Sequence, residues 1–197
     1  MKLKYLINPF EKIAGIKALL FGLFAIILAS IIGFKTNTHF DGVLSVHSGR
    51  ETPYIIYFLE PLISWLYAST IFSIVGFIFS KSKIRLIDIF GTQAFAFIPL
   101  LPASFIGAFS VLTDIPEKLS GLEHYEITQN MFTFSELFTL IFIAFFVMFF
   151  VVWSAIWMFH GFKLSTNLHN KYLIPFYILT IVSGFLVPNY LLSFINF

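Results

Sequence analysis

Apolar residues in this chain gather into five long runs, at residues 18–34, 61–80, 89–111, 137–159 and 173–194. Each is close to the roughly 20 residues that a tilted helix needs to cross hydrocarbon. The runs are too long and too uniformly apolar for half-buried strands, which alternate. Helix-start signals precede several of them. Asn8-Pro9-Phe10-Glu11 offers a cap, a proline at the first helical position and an acid for a capping box. Thr52-Pro53-Tyr54 repeats the cap-plus-proline pattern, and Thr133-Phe134-Ser135-Glu136 has the spacing of a capping box. Pro99 and Pro102 interrupt the third run, remove two backbone donors and predict a kink or break. The pattern predicts an all-α polytopic membrane protein, a single bundle of five transmembrane helices.

Composition strengthens this expectation. Only 11% of the 197 residues are charged and 58% are hydrophobic, whereas a water-facing surface needs about 25% charge. Cysteine is absent, so no disulfide, thiolate metal site or thiol nucleophile exists. The first run is long for the apolar part of a signal peptide and no small-residue cleavage site follows it, so it reads as an anchor. Basic residues are distributed unevenly. Lys2, Lys4, Lys12, Lys17, Lys81, Lys83, Arg85, Lys163 and Lys171 fall on one side of a five-span topology, and Lys35, Arg50 and Lys118 on the other. Nine against three places the N-terminus in the cytoplasm and the C-terminus outside.

Small residues at helical spacing predict which spans touch, because helices in lipid associate by close backbone approach. Such stripes run through Ala14, Ala18, Gly22, Ala25, Ala29 and Gly33; through Ser69, Ser73, Gly76 and Ser80; and through Thr92, Ala96, Pro99, Ala103 and Gly107. The fourth run instead carries Phe138, Phe142, Phe145, Phe146, Phe149 and Phe150. Spans one to three are therefore expected at the centre, with span four outermost.

No phosphate loop, nucleophile elbow or H-E-x-x-H motif is present. Neither an enzymatic role nor a cofactor is expected, and nothing points to nucleic acid. Polar groups near the membrane are the remaining candidates. Glu60 precedes Pro61, which places it at the outer interface as either an interfacial acid or a cation-binding carboxylate. His39, Asp41 and His47 lie within nine residues and could hold zinc with Glu60 or His124, or could form a solvated turn at Asp41-Gly42. Gln93 lies about one turn into span three, where a buried amide bonds a neighbouring helix or lines a polar path with Glu60. His160 and His169 fall at the far end of span four and in the loop after it, where a helix C-terminus favours a protonated imidazole.

Three stretches together resemble the Yip domain, named for Ypt/Rab-GTPase-interacting proteins. They are Asn8-Pro9-Phe10-Glu11-Lys12-Ile13-Ala14-Gly15, the third span from Asp88 to Pro99, and Trp153, Trp157 and Gly161-Phe162-Lys163-Leu164-Ser165. The resemblance implies a five-helix bundle with a cytosolic N-terminus and a role in membrane organisation or trafficking. Eukaryotic members carry a long cytosolic N-terminal region, and about eight residues precede the first helix here. The compact form resembles bacterial members, and no catalytic residues carry over. The leading expectation is a non-enzymatic scaffold whose partners are the bilayer, other membrane proteins or a second copy. The rival is a small ion or solute transporter using Glu60, Gln93 and the kinked third span.

Overall fold

The computed structural model describes residues 4–49, 51–112 and 133–194. The five expected helices are present: α1 (Gly15–Thr36), α2 (Tyr54–Phe79), α3 (Leu86–Phe95), α4 (Phe134–Thr166) and α5 (Asn170–Ser193). The third run breaks where its prolines predict. After α3 the chain tightens into a 3-10 segment, Ile98–Ala108, with Pro99 at its start and Pro102 inside. Counting α3 with that segment, five helical stretches are long and apolar enough to cross a membrane.

The start of α2 lies earlier than its apolar run suggests. It starts at Tyr54, directly after Pro53, and Pro61 lies inside the helix. The expected start at Pro61 is two turns too late, and with it falls the interfacial position of Glu60. Ile55, Ile56, Tyr57 and Phe58 carry the apolar pattern through it, and Glu60 itself is buried. Thr52 does not act as a cap, its hydroxyl having no partner among the described residues. The capping box at α4 forms as expected: Thr133 Oγ1 accepts from the Glu136 amide and Glu136 Oε2 accepts from the Thr133 amide. Asn8 accepts from the Phe10 amide, but it caps a separate short turn, Pro9–Glu11, ahead of α1. Asn37 and Asn167 end α1 and α4 in the left-handed region, at φ 54° and 51°, as C-terminal caps commonly do.

The small-residue stripes are the contact seams. α1 packs most extensively on α3 and then on the 3-10 segment. A Cβ on Gly22 would overlap the Ala94 backbone, and one on Gly107 would overlap the Thr36 carbonyl. Ala14 alone of the first stripe is exposed, because it precedes the helix. The third stretch is 67% buried and the fourth 11%, which places span three at the centre and α4 outermost. Phe138, Phe142, Phe145 and Phe149 face outward, whereas Phe146 and Phe150 are half-buried and stack on their neighbours. At 33 residues α4 is about 50 Å long, well beyond the roughly 30 Å of hydrocarbon.

The three stretches that suggested a family converge on one packing site. Phe10 is buried edge-on between Phe95 and Trp157, and those two rings stack at 5.4 Å. Both indoles of Trp153 and Trp157 donate to the Leu6 carbonyl, at 2.8 and 2.7 Å. These motifs therefore fasten the N-terminal segment to α4 and α3.

Candidate functional site

The segment joining α1 to α2 is built as a hairpin with an inverted tip. Two short strands, β1 (Thr38–His39) and β2 (His47–Ser48), pair antiparallel, with His39 opposite His47. Residues 40–46 between them turn into the bundle. Phe40 is buried against Ala29, Leu100 and Phe97, and Val43 joins the same core as Phe72 and Trp157. The Val43 amide donates to the Gly184 carbonyl of α5 at 2.7 Å. Gly184 lies nine residues before the end of α5, a depth of about 14 Å. A side chain at Gly184 would strike Val43, whose Cγ2 is 2.6 Å from where a Cβ would stand. Leu44 holds a left-handed φ of 64°, an uncommon conformation for a branched apolar residue.

Irregular backbone at this depth needs internal partners, and Glu60 supplies the main ones. Its Oε2 accepts from the Phe40 amide at 2.9 Å, and its Oε1 lies 2.8 Å from His39 Nδ1. His39 and Glu60 are both about 5% exposed or less. The His39 ring is stacked between Tyr57, at 4.4 Å, and His47, at 5.5 Å. One turn further along α2, Ser64 donates to the Phe40 carbonyl in a long bond of 3.4 Å. At the rim, Asp41 accepts from Asn189 at 2.9 Å and from Ser45 at 2.8 Å.

His39, Asp41 and His47 thus share one hairpin but split into two pairs. His39 Nδ1 turns to Glu60, and His47 Nδ1 lies 3.5 Å from Asp41 Oδ1. Among the described residues no group of three or more His, Asp or Glu is placed to hold a metal ion. His124 lies outside the described residues. His160 is half-buried in α4 and His169 is exposed ahead of α5, both away from this site.

Beneath the inverted tip is a cavity of about 30 Å³, walled by Gly42, Leu44, Ser64, Gln93, Ser154 and Met158 among others. Gln93 is 4% exposed and donates through Nε2 to the Met158 carbonyl at 3.2 Å. Its Oε1 has no partner among the described residues. Ser154 donates to the Ala96 carbonyl at 2.6 Å, where the third span breaks. Above the tip, an open cleft of about 610 Å³ is bounded by Asp41, His47, Ile106, Asn189 and the α4 surface. Leu44 belongs to both walls, so the loop stands between the cleft and the cavity.

The two residues expected to share a polar path are therefore divided. Gln93 faces the cavity, whereas Glu60 turns to the loop and contributes only its neighbour Pro61 to the wall. Sequence reasoning missed the loop itself. Its signal was Phe40, Val43, Leu44 and Val46, four apolar residues in a segment that a solvated turn would fill with polar ones. No protein-family model, no curated protein and no solved structure matches the chain.

Proposed function

We propose that this is an integral membrane protein that passes a small polar solute or ion through its bundle, with residues 40–46 as the stopper. The inverted loop carries this reading: it lies between an open cleft and a small cavity into whose apolar wall Ser64, Gln93 and Ser154 set polar groups. Broken helices whose freed backbone lines a site are the usual architecture of solute pathways in membranes. Here the break after α3 leaves the Ala96 carbonyl to accept from Ser154, and Ser154 and Gln93 both line the cavity. The basic residues favour a cytoplasmic N-terminus in a bacterial inner membrane, which puts the hairpin and the cleft on the extracytoplasmic side. In this reading the Glu60–His39 pair holds the stopper down, and His47 and Asp41 line its approach.

A Yip-type scaffold for membrane organisation is the second reading. The breadth of the outward aromatic face of α4, available to lipid, to another membrane protein or to a second copy, favours it. It gives no account of a loop driven into the bundle over a cavity.

Tethering the stopper tests the first reading. The chain has no cysteine, so Asp41→Cys with Asn189→Cys can be joined cleanly by a short thiol-bridging reagent. Proteoliposomes should show flux of water, protons, small cations or neutral amines above empty vesicles. Bridging should stop that flux, and reversing the bridge should restore it. Flux indistinguishable from empty liposomes across the panel refutes transport and leaves the scaffold.

A further inference from the structure

The chemistry of the cavity wall restricts what it can hold. Gln93 Nε2 donates to the Met158 carbonyl, and this fixes the amide's orientation. Flipping it would set two carbonyl oxygens against each other at 3.2 Å. Oε1 is thereby left as a buried acceptor without a partner among the described residues. Ser154 spends its proton on Ala96 and Ser64 on Phe40, so both hydroxyls offer the cavity only lone pairs. The Trp65 indole, also in the wall, donates to the Phe90 carbonyl. The wall therefore offers mainly acceptors: no hydroxyl or indole donor is uncommitted, and the second N–H of the Gln93 amide is the one side-chain donor left over.

Charge narrows the choice further. None of the lining residues is Asp, Glu, His, Lys or Arg. Without a counter-charge, a dehydrated cation would lose its hydration with little return, and an anion would meet acceptor oxygens. A volume of about 30 Å³ accommodates two or three molecules of water size, at about 10–15 Å³ each measured this way.

We infer that this cavity is a binding site for a small neutral, water-sized hydrogen-bond donor, water or ammonia, held by Gln93 Oε1 and the Ser64 and Ser154 hydroxyl oxygens. The inference deepens the transport reading by naming the class of species at the centre of the path.

The test is a density map that resolves ordered water, collected on the wild-type protein with and without pressurised xenon. Dry apolar cavities admit xenon, whereas a polar cavity already filled does not. A peak at about 2.7–3.2 Å from Gln93 Oε1, with no xenon in the cavity, is the expected result. An empty cavity, or xenon inside it, overturns the inference. Gln93→Leu should lose the peak while residues 40–46 keep their place; a retained peak also overturns it. Thermal unfolding in detergent, titrated with ammonium chloride at alkaline pH against matched sodium chloride, separates the two occupants. A saturating rise in Tm absent from Gln93→Leu assigns ammonia, and equal curves with the peak present assign water. A filled site in a protein that shows no flux sustains the inference and refutes the path. Flux stopped by the 41–189 bridge over an empty cavity does the reverse.

Discussion

Replacing Glu60 by leucine removes the carboxylate that ties the stopper loop to α2, and the cost can be worked from its two bonds. The Phe40 amide, 2.9 Å from Oε2, is left buried without its acceptor, a penalty of about 1–3 kcal/mol. His39, only 5% exposed, loses the partner 2.8 Å from its Nδ1, a second buried polar group left unpaired at a further cost of about 1–3 kcal/mol. The two losses share one group and do not add fully. The expected destabilisation is therefore about 2–5 kcal/mol, roughly a factor of 30 to several thousand in the folding constant. Glu60→Gln should cost less, about 1–2 kcal/mol. Its oxygen can still accept from Phe40 while its amide donates to a neutral His39 Nδ1. Reversible unfolding in mixed micelles measures both, and a double-mutant cycle with His39→Ala isolates the pair. A loss below about 1 kcal/mol for Glu60→Leu, or no coupling to His39, would refute the assignment of Glu60 as the loop's anchor.

Other expectations follow from the seams and the N-terminal clasp. Gly22→Leu and Gly107→Leu should prevent a folded bundle, because even a Cβ overlaps the facing backbone. Phe145→Leu, on a side chain 73% exposed, should leave unfolding within about 0.5 kcal/mol of wild type. Trp153→Phe or Trp157→Phe alone should be mild, since the other indole still donates to Leu6. The double variant should free the N-terminal segment, seen as faster proteolytic clipping before residue 10. Topology reporters should place the turn around Lys83 in the cytoplasm and a C-terminal fusion outside; a cytoplasmic C-terminus would refute the proposed orientation.

What the sequence revealed was whatever repeats along a helix. Run length gave the five spans, small residues at three- and four-residue spacing gave the α1–α3 seam, and Pro99 with Pro102 marked the break. Thr133 and Glu136 gave the start of α4 because a capping box is a local rule. The site was only partly legible because it is made by distant pairings. Glu60 stands out in the sequence as an acid at the edge of an apolar run and Gln93 as an amide within one; both are buried, but neither periodicity nor spacing indicates that Glu60 faces residue 39 rather than residue 93. Asp41 looks in sequence like a metal ligand beside two histidines, whereas it accepts from Ser45 nearby and from Asn189, 148 positions away. An apolar loop tip looks the same in sequence whether it lies on a surface or plugs a bundle.

The anchoring of the loop also dictates an order of assembly. Phe40 finds its partners on α1, α2 and the third span, all within the first 108 residues. Val43 and Asp41 wait for Gly184 and Asn189 on α5, which is made after the other four helices described. During synthesis, therefore, α1 to α3 can dock while the loop tip still lacks half its bonds. Insertion of α5 completes them, so the loop is fully seated only in a chain extended through α5.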